Sequence, residues 1–256
     1  MYKVLIGMNK RKYVKKETVG SVFHATDGNS KTGKHVGNYN LPIEYTCDHR
    51  CECYKKGLCY ACQGCYLFAD NQALYSENYN YYKTHSHIEL ADRITKYIKD
   101  NHLSLFRFFT CGDIPSEKFL QAMVKTAIDN PTVRFWAYTK KYHIVNDYLN
   151  KSGENAIPEN LVIIFSHWMN DDGSYFPMNN PYNMPTSEFI PLGKEEEAEK
   201  VTHICPCSNP NVKATCATCD HPCYTLKRGE SMALLEHSTK RTKTRDKAIK
   251  EAKAKL

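Results

Sequence analysis

The central part of the chain alternates short apolar runs with amphipathic stretches. LFRFFT (105–110) is an aromatic-rich run that predicts a strand, and Cys111-Gly112-Asp113 closes it. PSEKFLQAMVKTAIDN follows, in which Phe119, Leu120, Met123, Val124 and Ile128 recur at helical spacing behind Ser116 as N-cap, with Pro131 as the stop. TVRFWAYT (132–139) predicts a second strand. A short helix around 144–149 leads to LVIIFSHW (161–168), continuously apolar as a strand buried on both faces should be. Upstream, Ile88, Ala91, Ile94, Tyr97 and Ile98 place one apolar face on a helix over His87–Asp100, and GNYNLPIEYT (37–46) reads as extended. The aromatic, mostly polar stretch LYSENYNYYKTH leads from the cysteine loop to that helix.

Strand–helix–strand–helix–strand with short connections predicts an α/β fold with a parallel sheet. Ligands of such folds bind at the carboxyl ends of the strands. The candidate positions are therefore the polar strand ends: Cys111-Gly112-Asp113, Thr139-Lys140 and Ser166-His167. Cys111 reads as a small buried apolar residue. Residues 170–187, rich in Asn and Pro, read as a loop over the same end.

The cysteines change the picture most. Six lie between Cys47 and Cys65, spaced C-x3-C-x-C-x5-C-x2-C-x2-C with His49 inside, and five more lie between Cys205 and Cys223 with His203 and His221. C-x2-C steps put two sulfurs on one tight turn, and soft thiolates select zinc or iron–sulfur clusters. Cys59, Cys62 and Cys65 are the expected ligands in the first group, and Cys207, Cys216, Cys219 and Cys223 in the second. Three regions follow: an α/β unit over 1–195, a cysteine-rich extension over 196–238 and a basic helical tail over 239–256.

Charge adds less. The tail carries eight Lys or Arg against Asp246 and Glu251, much of the net +7 of the 256-residue chain. Together with the basic start it offers a tether to nucleic acid, beside the simpler reading of a solvated helix. No apolar run is long enough for a membrane span, and the start lacks the apolar core of a secretory signal. The expectation is a cytoplasmic protein whose twelve cysteines are not a disulfide framework.

The order of parts, an extended segment, a cysteine loop, a helix and a strand ending in Gly112-Asp113, resembles the radical S-adenosylmethionine enzymes, which are partial parallel (β/α) barrels. Their usual spacing is C-x3-C-x2-C, against C-x2-C-x2-C at Cys59, Cys62 and Cys65 here. A closer resemblance is to the phage gene product 88 family, which looks radical-S-adenosylmethionine-like. It is carried by Cys62-Gln-Gly-Cys65-Tyr66, by Arg107 through Asp113, by Phe135-Trp136-Ala-Tyr138-Thr139-Lys140, and by the C-terminal cysteine block.

The resemblance implies a [4Fe–4S] cluster on the first cysteine group and S-adenosylmethionine held by Gly112, Asp113, Thr139, Lys140 and Ser166. It also implies a second cluster or zinc, an external electron donor and an unknown substrate. Two rivals accompany it: a structural zinc protein that binds nucleic acid through its basic termini, and a cluster-bearing electron carrier or sensor.

Overall fold

A computed structural model describes residues 20–48, 51–55, 58–62, 64–170, 172–191, 193–201, 203–208 and 212–236. Both basic ends, and hence the tail expected over 239–256, lie outside the described residues.

The fold is α/β. Strands β1 (Thr26–Asn29) and β2 (Gly33–Tyr39) form an antiparallel hairpin. The chain continues through the helical turns α1 (Ile43–Thr46) and α2 (Glu52–Lys55) and short 3-10 turns at Tyr60–Cys62 and Gly64–Leu67. Helices α3 (Ala69–Thr84) and α4 (His87–Asp100) lead to β3 (Leu105–Phe108), α5 (Glu117–Asp129), β4 (Arg134–Thr139), α6 (Tyr142–Ser152) and β5 (Leu161–Trp168). Strands β6 (Thr186–Ile190), β7 (His203–Ile204) and β8 (Ser231–Leu235) complete one sheet of order β1-β2-β3-β4-β5-β6-β8-β7. Every pairing but the first is parallel. From β2 to β6 spatial order follows chain order, as successive βα units require. Segment 196–238, expected as an extension, contributes β7 and β8 to this same sheet.

Side chains alternate across the strands. One face, with Tyr39, Phe106, Phe108, Phe135, Ala137, Ile163 and Phe165, packs against Leu90, Ile94 and Ile98 of α4, Phe119, Leu120 and Met123 of α5, and Val145 and Leu149 of α6. Each fully buried ring or branched side chain there contributes about 1.5–3 kcal/mol. Ser86 and Glu89 form a capping box at the start of α4. Ser116 occupies the N-cap position of α5, but makes no cap bond and meets the Tyr82 hydroxyl at 2.6 Å. The opposite, inner face carries Val36, Trp136, Val162, Ile164 and Met232, and is covered by the segment holding Cys223 and Leu226.

Three local departures from the sequence pattern have physical reasons. α3 was invisible because its buried face is Tyr75, Asn78 and Tyr82 rather than an aliphatic stripe. Asn78 earns its buried place through hydrogen bonds: its amide donates to the His24 and Asn40 carbonyls and accepts from the His24 amide. The extended stretch stops at Tyr39, and Ile43–Thr46 turns helical, with the Thr46 hydroxyl donating to the Pro42 carbonyl. β3 ends at Phe108 because Phe109 takes a positive φ of 62°.

Candidate metal centre

The first cysteine loop is fastened across the carboxyl end of β3. Asn40 Oδ1 accepts from the Thr110 amide (2.8 Å), the Thr110 hydroxyl (2.9 Å) and the Cys111 amide (3.1 Å). The Leu41 amide donates to the Cys111 carbonyl, and the Asp113 amide donates to Thr46 Oγ1, both at 3.1 Å. Gly112 makes this approach possible: its φ is +93°, and a Cβ there would lie 2.6 Å from the Leu41 carbonyl oxygen. The chain is thereby delivered to Cys47 directly over the strand ends.

From Cys51 to Cys62 the thiols run in contact. Cys51 Sγ lies 3.2 Å from Cys53 Sγ, and hydrogen bonds link Cys53 to Cys59 and Cys59 to Cys62. Cys47, Cys59 and Cys62 pack with Tyr66 against buried Ile43, Ala61, Tyr75 and Cys111, whereas Cys65 is exposed. Burial, then Asp113 and Cys59, push the Cys47 thiol up, and Lys140 pulls it down. For Cys59 the bond from Cys53 lowers it, but the bond to Cys62 and burial carry it up to about 11. The bond to Cys53 and burial raise Cys51; the bond from Cys51 lowers Cys53, but the bond to Cys59 and burial raise it, and the Lys140 ammonium pulls against both rises. Crowded thiols that hold their protons against one another are a donor set that a cation can deprotonate.

The strand-end residues divide into braces and free groups. Asp113 is buried; its Oδ1 accepts from the Ile114 amide (2.7 Å) and the Thr139 hydroxyl (2.6 Å), and Oδ2 accepts from the Lys140 amide (3.0 Å). Burial raises this carboxyl, against the pull of those hydrogen bonds. One acceptor position remains on Oδ2. Thr139 is buried and also accepts from the Lys141 amide at 2.9 Å, so it braces Asp113. Lys140 Nζ reaches Ser166 Oγ at 3.2 Å. His167 is elsewhere: it shares the helix-side face with its register partner Glu188, pairs with that carboxylate at 2.8 Å, donates to the Phe176 carbonyl at 2.9 Å and stacks on Tyr175. It pins the loop 170–185 and does not join the set around Lys140.

The second group packs on the inner face. Cys205, Cys207, Cys216, Cys219 and Cys223 line one small recess with Trp136, Pro222, Tyr224 and Met232. The Cys216 and Ala217 amides donate to the Lys31 and Thr32 carbonyls, which ties the group to the β1–β2 turn. Cys207 hydrogen-bonds Cys205 and Cys216, which lowers both of those thiols and raises its own; the Arg107 guanidinium lowers Cys216 further. The Tyr138 hydroxyl donates to Cys223 Sγ at 2.8 Å, while burial drives that thiol up to about 12. His203 and His221 stack at 4.4 Å.

The expected sets are therefore placed as follows. Cys59 and Cys62 lie in the sulfur chain, while Cys65 is at the surface. Cys207, Cys216, Cys219 and Cys223 share one recess, with Cys205 as a fifth thiol. Among the described residues, no three or more His, Cys, Asp or Glu side chains are arranged as a ready-made metal site. Arg107, Tyr60 and Tyr66 were missed as site residues. A charge between buried aromatics in LFRFF was the available signal, since strand alternation sends Arg107 to the inner face.

Fold and site together define an α/β protein with one thiol group over the strand ends and another on the inner face of the sheet. The family model for gene product 88 matches residues 8–181, more than half of the chain, so the protein belongs to the phage gene product 88 family. No curated protein and no solved structure matches it. Among the described residues no helix is long and apolar enough to cross a membrane.

Proposed function

We propose that this protein is an iron–sulfur enzyme of the radical S-adenosylmethionine type, with a second thiolate-held metal or cluster. The observation that carries the reading is the first thiol group, held over the carboxyl ends of parallel strands and next to Lys140 and Asp113. A [4Fe–4S] cluster held by three thiolates has one iron open to S-adenosylmethionine and supplies the electron that cleaves it.

The residues of this chain would then divide the work. Cys51 and Cys53 touch at 3.2 Å and Cys47 packs with Cys59 and Cys62, so they are candidate ligands beside Cys59 and Cys62, whereas the surface position of Cys65 makes it the weakest of the expected three. Asp113 offers its remaining Oδ2 position to an ammonium group, braced by Thr139. Lys140, steadied by Ser166, would pair with a carboxylate. Gly112 keeps the β3 end close against Leu41 and is a backbone requirement rather than a contact.

The test is anaerobic reconstitution with iron and sulfide, followed by assay for 5′-deoxyadenosine under reducing conditions. A loaded protein that releases none refutes the enzyme reading. For the second group, zinc is the alternative: several thiolates around a recess walled by Trp136 and Met232 suit a closed structural site. Elemental analysis of anaerobically purified protein separates the outcomes. Zinc at both groups, with no visible thiolate-to-iron absorption, would favour the structural zinc protein that binds nucleic acid through its basic ends.

A further inference from the structure

Arg107 stands on the inner face of β3 between the two cysteine groups. Its guanidinium lies over the Tyr138 ring, 5.0 Å from the centroid, and hydrogen-bonds the Cys216 sulfur. From the first cysteine loop, Tyr60 and Tyr66 turn their hydroxyls into its field. No ion pair among the described residues includes it, and its Nε is buried without an acceptor. A guanidinium presents five donors in a planar fork that matches two oxygens of an anion. One sulfur and one ring face leave most of that fork unused.

Tyr60 is 54% exposed, so solvent reaches this side of the guanidinium. The groups around Arg107 come from both cysteine regions: Tyr60 and Tyr66 from the first, Cys216 from the second, and Tyr138 from the sheet.

We propose that Arg107 anchors an oxyanion group, carboxylate or phosphate, of a small molecule bound on the inner face between the two cysteine groups. This names a substrate class for the proposed enzyme and rests on that reading for the reaction alone. Binding itself is independent of it. The neighbouring tyrosines suit a flat or apolar body attached to the anion, because they offer apolar surface with a polar tip.

Equilibrium dialysis of the anaerobically purified full chain, with benzoate and inorganic phosphate as separate probes, tests the proposal. The expected result is one saturable site for at least one probe. Arg107→Gln abolishes it and Arg107→Lys weakens it about tenfold or more, since an ammonium lacks the fork. Arg93→Gln, which removes a cation lying over the Phe23 ring, leaves it unchanged and controls for general attraction to a basic chain. Benzoate alone assigns a carboxylate ligand and phosphate alone a phosphoryl ligand; equal binding assigns the oxyanion without preference.

No saturable site, or binding that survives in Arg107→Gln or falls equally in Arg93→Gln, overturns the proposal. Should Arg107→Gln fail to fold, Arg107→Lys decides, and unchanged affinity there overturns it. A chain that releases 5′-deoxyadenosine but binds neither probe loses this proposal alone. One that binds them without cleavage keeps it and loses the enzyme reading.

Discussion

Gly112→Ala probes the point where the β3 end meets the segment entering the first cysteine loop. Two costs are separable. At a φ of +93° an alanine is strained by about 1–3 kcal/mol. Its Cβ would also lie 2.6 Å from the Leu41 carbonyl oxygen and 3.0 Å from the carbonyl carbon, backbone atoms that cannot rotate away. Forced displacement of this kind adds about 1–3 kcal/mol, for a total of about 2–6 kcal/mol. Gly153→Ala supplies the control: its φ of +95° is nearly the same, but a Cβ there meets nothing within 4 Å. Urea denaturation of both variants, with metal content measured in parallel, reads the difference. Gly112→Ala should be the less stable by at least about 1 kcal/mol. Under the proposed reading it should also lose metal from the first group, because the Leu41–Cys111 bond that seats the loop lies under the clash. Equal stabilities with full metal content would refute the close-approach reasoning.

Asp113→Ala orphans the buried Ile114 amide and the part-buried Lys140 amide and should destabilise by about 2–5 kcal/mol in the same assay; a loss under about 1 kcal/mol would show that water replaces the carboxylate. At His167, burial alone would lower the imidazole, but the bond and attraction to Glu188 outweigh it and hold it above the usual range. A folded value above the unfolded one stabilises most below about pH 6.5, and that contribution is lost as pH rises through the folded value. Wild type minus His167→Gln stability should therefore shrink from pH 6 to pH 9, with protease cutting of the 170–185 loop rising alongside; a difference that does not change with pH would sink the assignment. In metal-free, reduced protein, alkylation followed by peptide mass spectrometry should label exposed Cys65 first and buried Cys111 and Cys223 last. The reverse order would contradict the packing around both cysteine groups.

Much of the architecture was legible from periodicity. The apolar stripes of α4 and α5 and the continuous run of β5 reflect local rules, spacing of three to four on a helix and burial of both faces on a parallel strand. The two thiol groups were legible because C-x2-C steps are local too. α3 was not, because a helix buried through Tyr and Asn depends on partners at His24 and Asn40 that no window of sequence contains. Asp113 and Lys140 could be named from their strand-end positions. Which of them is braced and which is free depended on hydrogen-bond partners from α1, β4 and β5.

By itself, the sequence determined that the protein is α/β and that two dense thiol groups exist, since composition and spacing act within a few residues. Only the tertiary structure decided that the second group packs on the inner face of the sheet, within reach of Arg107, instead of beyond the core. That outcome follows from β8 pairing with β6, a contact between segments about forty residues apart. Pairings at such a distance are selected by the packing of whole faces, and no local pattern encodes them.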